Sequence, residues 1–316
     1  MGKTNRNDPI RCGSSESTMS LMEFERRYPD DAACLDELVG MLYPDGIHCP
    51  KCVKITKHHR MKARTAYSCQ FCGHMEYPLA GTIFEGSSTS LKLWFYAMYL
   101  MTSTRGGISA KRLEREVGVS YPTAWRMFNK IRSLMDQSDL LFDGTVEMDE
   151  GYFGGKDKWK HESKRPHAGR GTVSKTTVVG IAQRGKSGAK GKVIARVADG
   201  SGAETLMSHV TSRILPKATV YTDEHHGYSG LRSRGYFHDR VQHSAQVYVS
   251  GNVHTNTIEG FWATVKRGIG GTYHSVSTKH LQSYLDEYAW RYNNRDAEGG
   301  MFTALLALIA KRPKVA

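Results

Sequence analysis

The sequence predicts an α/β protein: a mixed sheet flanked by helices in the second half, preceded by a metal-stapled ribbon and a helical module. Three observations carry this expectation. Two Cys-x-x-Cys pairs stand 16 residues apart, Cys49–Cys52 and Cys69–Cys72. A helix-turn-helix spacing follows them. From Phe142 onward, short β-rich runs alternate with helical spacing, and two of those runs end at acids, Asp149 and Asp223.

At 316 residues the chain has room for two or three domains. Its hydrophobic content of 39% is that of a globular protein. No apolar stretch is long enough to span a membrane. Residues 1–19 are polar and lack the apolar core of a secretory signal, so they read as a disordered lead-in. A cytoplasmic protein is expected, in which Cys12 and Cys34 stay free thiols, Cys34 on a buried helix face. The net charge of +13 attracts polyanions. It is concentrated: between Lys156 and Arg196 twelve Lys and Arg face only Asp157 and Glu162, as a nucleic-acid surface would require.

The elements follow in order. Residues 20–45 carry apolar spacing (Leu21, Phe24, Leu35, Leu38, Leu42) for one or two short helices. Residues 46–81 form the ribbon. Each knuckle aims two sulfurs at one point, and four thiolates close a tetrahedral Zn²⁺ with no open position, a structural site and not a catalytic one. Two disulfides or a rubredoxin-like iron site share this spacing.

Residues 88–138 are helical. Leu91–Met101 is apolar nearly all round and predicts a buried helix. Ser109 and Ser120 are candidate caps, Gly118 supplies a turn, and Pro122 sits in the first turn of the second helix. That helix places Trp125, Phe128, Ile131 and Leu134 on one face, with Arg126, Lys130 and Arg132 on others. Arg126 and Lys130 are candidate DNA contacts.

Residues 142–316 form the α/β region. Strands are expected from Thr145 into a Gly-rich turn at 154–155, at Thr176–Ala182, at Lys192–Val197 and at Ala218–Asp223. Helices are expected at Ala203–Ile214, Thr257–Arg267, Leu281–Tyr292 and Phe302–Ala310. A strand end puts an acid at the sheet rim, and Glu259 lies near the start of the helix beyond Asp223. Three converging carboxylates repel one another unless cations sit between them. Hard oxygen donors favour Mg²⁺ or Mn²⁺, and a pair of such ions supports in-line phosphoryl displacement. Glu147, Glu150 and Glu224 read as solvated rim charges. Phe261, Trp262, Tyr221 and Tyr228 read as packing, and His225–His226 as DNA contacts.

The words around the acids are more specific than the acids. VEMDEGYFGG (146–155), VYTDE (220–224) and HTNTIEGFWATVKRG (254–268) together resemble bacterial insertion-sequence transposases of the DDE type. The resemblance is to the group that pairs a zinc ribbon with a ribonuclease-H-like catalytic domain and is related to Merlin elements. GTIF (81–84), GTYHSVS (271–277), YLDEY (284–288) and RYNNR (291–295) extend it over roughly residues 20–310. The resemblance implies a ribonuclease-H-like sheet with the first two acids, Asp149 and Asp223, on its first and fourth strands. It implies a third ligand on the following helix, Glu259 or Asn256, with Glu259 preferred because a carboxylate binds a hard cation better than an amide does. Lys266 and Arg267 would hold DNA beside the site. It further implies cleavage and strand transfer on double-stranded DNA, at transposon ends and target, two catalytic Mg²⁺ or Mn²⁺ ions, a structural Zn²⁺, a homo-oligomer in the synaptic complex and a nucleoid-associated location. A DNA-binding regulator with an inactive catalytic domain, and a nuclease without strand transfer, are the competing readings.

Overall fold

The computed structural model describes residues 19–61, 64–104, 106–154, 175–185, 190–224, 226–241 and 253–311. Nearly all of the expected lead-in, Cys12, much of the basic run between Lys156 and Arg196, and His225 lie outside the described residues. The described residues up to Ser103 pack with those from Asn294 onward as one unit, and Thr104–Asn293 form a second.

In the first unit, α1 (Leu21–Arg27) opens with a capping box: Ser20 accepts the Glu23 N–H and Glu23 accepts the Ser20 N–H. Asp30 caps α2 (Asp31–Leu42), which buries Cys34, Leu35 and Leu38. Five short strands carry the ribbon: β1 (His48–Cys49) pairs with β2 (Lys54–Ile55). β3 (His58–Arg60), β4 (Tyr67–Cys69) and β5 (Met75–Glu76) form an antiparallel meander. The apolar helix α3 (Leu91–Ser103) is buried through Trp94, Phe95, Met98 and Met101.

The second unit begins with the expected helix pair, α4 (Ala110–Val117) and α5 (Tyr121–Leu134), turned by Gly118 in the left-handed conformation at φ 73°. Ser109 caps α4 by accepting the Arg112 N–H at 3.2 Å. Ser120 makes no such bond, and its hydroxyl meets that of Thr123 instead.

A mixed sheet follows. β6 (Thr145–Phe153), β7 (Thr176–Gln183) and β8 (Lys192–Ala198) run antiparallel. α6 (Ala203–Arg213) then leads to β9 (Thr219–Thr222), which pairs parallel with β6, and β10 (Phe237–Arg240) pairs parallel with β9. The strand order is β10-β9-β6-β7-β8. α7 (Asn256–Gly268) and α8 (Thr278–Asn293) complete the unit, and α9 (Gly300–Lys311) returns the chain to the first, where Phe302 joins an aromatic cluster with Phe24, Tyr28 and Phe95.

Both faces of the sheet are covered, which is why TTVVGIA reads as an unbroken apolar run. Val146, Met148, Val179 and Ile181 pack against Leu206, Met207 and Val210 of α6. Val178, Ala182, Val193 and Ala195 pack against Ile258, Phe261, Trp262 and Val265 of α7 and Leu281 and Leu285 of α8.

Arg132 departs from the sequence expectation of an outer-face cation: its side chain is fully buried. It pairs with Glu287 of α8 at 2.6 Å, and Glu287 pairs with Arg291 at 2.8 Å. The Arg132 guanidinium sits 3.7 Å and 3.5 Å from the ring centroids of Phe128 and Tyr284. Two cations around one buried carboxylate satisfy charges that would otherwise be expensive to desolvate, and they fasten α5 to α8.

Candidate functional site

Two groups of ligand-type side chains come together among the described residues. The first is the cysteine quartet. The four sulfurs of Cys49, Cys52, Cys69 and Cys72 lie within 4.8 Å of one another. Cys49 and Cys72 approach to 3.4 Å, and Cys52 and Cys69 to 3.9 Å. Thiolates at Zn–S distances around a tetrahedron are separated by about 3.8 Å, so the set fits a four-sulfur Zn²⁺. The separations are far beyond a disulfide bond, and the cysteines are free. The Thr56 hydroxyl lies 3.2 Å from the Cys69 sulfur and lowers its thiol pKa, favouring the thiolate a metal needs.

The second group is acidic: oxygens of Asp149, Glu150 and Asp223 also lie within 4.8 Å of one another. Sheet register explains the meeting. β9 pairs with β6 only from Thr145 to Glu147, so β6 runs past the end of its parallel neighbour. Asp149 therefore stands within a strand, not at its end as the sequence suggested, yet still at a rim on that side. Asp223 follows the last residue of β9 and reaches the same rim. Glu150, which the sequence suggests is a solvated rim charge, joins this cluster instead. Its neighbours on β6 point it to the α6 face, and the Tyr228 hydroxyl donates to its carboxylate. Tyr228 is thus core packing with a polar duty.

The crowding is electrostatically unfavourable without a cation. Burial, then the charges of Glu150 and Asp223, push the Asp149 carboxyl up to about 7, with a smaller contribution from Glu259. Burial and Asp223 push Glu150 up to about 7 against the Tyr228 hydrogen bond. A divalent cation relieves both effects, and an all-oxygen donor set suits Mg²⁺ or Mn²⁺.

α7 carries the remaining candidates, which are not in the acid cluster formed by Asp149, Glu150 and Asp223. Asn256 is its first residue and Glu259 lies one turn on, both exposed. The Glu259 carboxylate accepts the Thr255 hydroxyl at 2.6 Å. Thr255, the N-cap residue, caps no backbone N–H with its side chain. That duty falls to Glu147 of β6, whose carboxylate accepts the N–H groups of Thr257 at 2.8 Å and Ile258 at 3.1 Å, and the Thr257 hydroxyl at 2.9 Å. Far from being a solvated rim charge, Glu147 is fully buried, and Arg184 pairs with it at 2.6 Å. Arg184 also donates to the His254 carbonyl and to its Nδ1. The same Nδ1 lies 3.4 Å from the Glu147 carboxylate, so His254 joins the Arg184–Glu147 pair. Further along α7, Trp262 lies on a floor of Gly151 and Gly180, where a Cβ at Gly180 would overlap the indole.

Lys266 and Arg267 are exposed in the last turn of α7, and Arg126 is exposed on α5 with Lys130 half-buried. Phe261 and Trp262 are core, as expected. His226 is exposed.

The chain thus carries a four-cysteine ribbon and, later in the sequence, a mixed sheet with clustered acids at its rim. Residues 142–293 match the family model described as the ISXO2-like transposase domain, and residues 29–75 match the transposase zinc-ribbon domain. In chain order, then, a transposase zinc-ribbon domain is followed by an ISXO2-like transposase domain. It is 29% identical over 265 residues, 80% of this chain and 88% of the relative, to an uncharacterized protein in transposable element ISH50 of Halobacterium salinarum. It is 29% identical over 107 residues, 34% of this chain and 85% of the relative, to an uncharacterized transposase-like protein of Haemophilus influenzae. A chain in a cryo-EM structure of a simian T-cell lymphotropic virus intasome bound to a PP2A regulatory subunit aligns over 66% of this chain and 72% of its own. That match has 11% identity and a TM-score of 0.32, too low to bear on the fold.

Proposed function

We propose that the protein cuts the ends of an insertion sequence and joins them to target DNA by metal-dependent phosphoryl transfer. The observation that carries this reading is the meeting of Asp149, on the first strand of the sheet, with Asp223, just past the fourth, in a chain with the ISXO2-like transposase domain. Three antiparallel strands followed by two parallel ones, with helices on both faces, support a ribonuclease-H-like sheet.

Asp149 and Asp223 hold the cations, with Glu259 the preferred ligand from α7 and Asn256 its alternative. Mg²⁺ or Mn²⁺ bound there would neutralise charge on the phosphate undergoing in-line displacement. In the first reaction a water oxygen bonds to phosphorus as the bond to the 3′-oxygen breaks, leaving a 3′-hydroxyl on the element end. In the second, that oxygen bonds to a target phosphorus as the target's own bond to its 3′-oxygen breaks. Lys266 and Arg267 steady the DNA backbone near the acids. The ribbon and the α4–α5 pair, read as a helix-turn-helix with Arg126 and Lys130 toward DNA, bind the terminal repeats. Bringing two ends together calls for a homo-oligomer. No helix among the described residues is long and apolar enough to cross a membrane, and the reaction belongs with nucleoid DNA in the cytoplasm.

The test is incubation of the full chain with DNA carrying the element's ends and Mg²⁺, beside Asp223→Asn. Metal-dependent nicks and joined products from the parent alone support the reading. Equal cleavage by both proteins removes the catalytic assignment. Binding without cleavage by either points to a regulator, and nicks without joining to a plain nuclease.

A further inference from the structure

We propose that Glu147 is the positioning residue that sets the distance between the acids of the sheet and the ligand position on α7. The proposal rests on the reading of Asp149 and Asp223 as cation ligands, and it concerns a residue that would not touch the cation itself.

Glu147 and Asp149 are two apart on β6, so their side chains leave the same face of the sheet. They meet opposite surroundings. Glu147 is enclosed by donors: Arg184 at 2.6 Å, two backbone N–H groups and one hydroxyl of α7. Asp149 faces other acids. A helix N-terminus presents unsatisfied N–H groups and partial positive charge, and a carboxylate is its natural complement. Usually a residue of the local chain supplies that complement. Here Thr255 does not, and the strand does. The carboxylate that fixes the first turn of α7 is thus rigidly tied, through two residues of backbone, to the carboxylate expected to bind metal.

The turn it fixes is the one that bears Asn256 and Glu259. A second contact prevents α7 from swinging about this anchor: Trp262 is seated on Gly151 and Gly180, and Gly151 is two residues past Asp149 on the same strand. Held at both points, α7 has little freedom to slide along β6. Metal sites are sensitive to such support, since displacements of a fraction of an ångström and lost outer contacts weaken binding by about 10–100-fold.

The experiment measures Mn²⁺ binding to the zinc-loaded full chain by electron paramagnetic resonance, with amide hydrogen exchange on the same samples. Four proteins are compared: the parent, Glu147→Gln, Thr257→Ala and Asp149→Asn. Gln keeps the size of Glu147 but turns an NH₂ toward donors. Thr257→Ala removes a single hydroxyl from the clamp and serves if the Gln variant does not fold. In Glu147→Gln the expected result is a Mn²⁺ dissociation constant raised about tenfold or more. The Thr257 and Ile258 amides should exchange faster, with exchange in β7 unchanged. Thr257→Ala should shift both readouts the same way by a smaller factor. A merely structural role predicts lower overall stability with Mn²⁺ affinity unchanged in the folded protein, and that result in the folded variants overturns the proposal. Loss of Mn²⁺ binding in Asp149→Asn shows that the underlying site stands; parental affinity there removes the site reading itself, independently of how Glu147→Gln behaves.

Discussion

The cysteine site and the acid site are built in opposite ways. The quartet comes from two knuckles a few residues long, joined by a short meander, and each knuckle is complete in itself. The acid site has no local unit. Asp149 reaches the rim because β6 outruns β9, Asp223 because β9 ends there, and α7 arrives because a buried glutamate of the sheet receives its N-terminus. Opposite charge logic follows. Four thiolates around one point suit a single closing ion, whereas the carboxylates are crowded together by strands and a loop that meet only in the fold. A site of the first kind makes its fold; a site of the second kind is made by one.

The largest effect expected from this contrast is at the ribbon. Structural zinc contributes on the order of 10 kcal/mol to the folding of small modules that lack an adequate core. Cys69→Ser should abolish stoichiometric zinc and remove the ribbon's thermal transition, while Mn²⁺ still binds the acid site. Elemental analysis with scanning calorimetry reads the outcome. A ribbon that stays folded without metal would break the contrast, and iron in place of zinc would revise the metal.

Substitution at the acid site should do the reverse. Asp149→Asn is expected to lower DNA cleavage by about a thousandfold, the scale of losing a principal electrostatic contributor. In buffer free of Mg²⁺ and Mn²⁺ at pH 8 the same change should raise stability by roughly 1–3 kcal/mol, because it removes a buried charge beside Glu150 and Asp223. Lower metal-free stability would show that Asp149 supports the fold and that the two sites are not opposites.

A pH series sharpens the same point. The Asp149 and Glu150 carboxyls, at about 7 in the fold, stand above their ordinary values of 3.8 and 4.5. The folded state then holds protons the unfolded chain releases. Their contribution to metal-free stability is complete below about pH 4 and is lost as pH rises through 7. Cations compete with those protons, so the stabilisation given by a fixed Mn²⁺ concentration should grow between pH 6 and pH 8. Thermal melts across that range measure it, and an increment independent of pH would place the cation elsewhere.

What could be read from sequence follows the same division. The ribbon was legible in its spacing alone, as were α3, the Gly118 turn and the alternation of strands and helices. The acid pair was legible only through the words around it. Glu147, Glu150 and Arg132 were misread because their roles come from partners far along the chain. Nothing near Glu147 announces the first turn of α7, nothing near Glu150 announces Tyr228, and Arg132 finds Glu287 only when α5 meets α8. The sequence suggests a strand end at Asp149 because it does not reveal where a neighbouring strand stops pairing.

The smallest test compares the two ways of closing a helix. α4 is capped locally by Ser109, whereas Ser120, equally promising in sequence, gives α5 no side-chain cap. Ser109→Ala should cost about 1 kcal/mol, the usual price of a lost side-chain cap. Ser120→Ala should cost distinctly less, since only a bond to the Thr123 hydroxyl is lost. Neither should alter Mn²⁺ affinity, because a local cap holds only its own helix, while the Glu147 cap of α7 joins a helix to the strand that carries Asp149. Denaturant melts paired with Mn²⁺ titration separate the cases. Equal costs for the two serines would mean that sequence spacing was the better guide to capping at Ser120, and a change in Mn²⁺ affinity from Ser109→Ala would mean that α4 is coupled to the acids by a route other than α7.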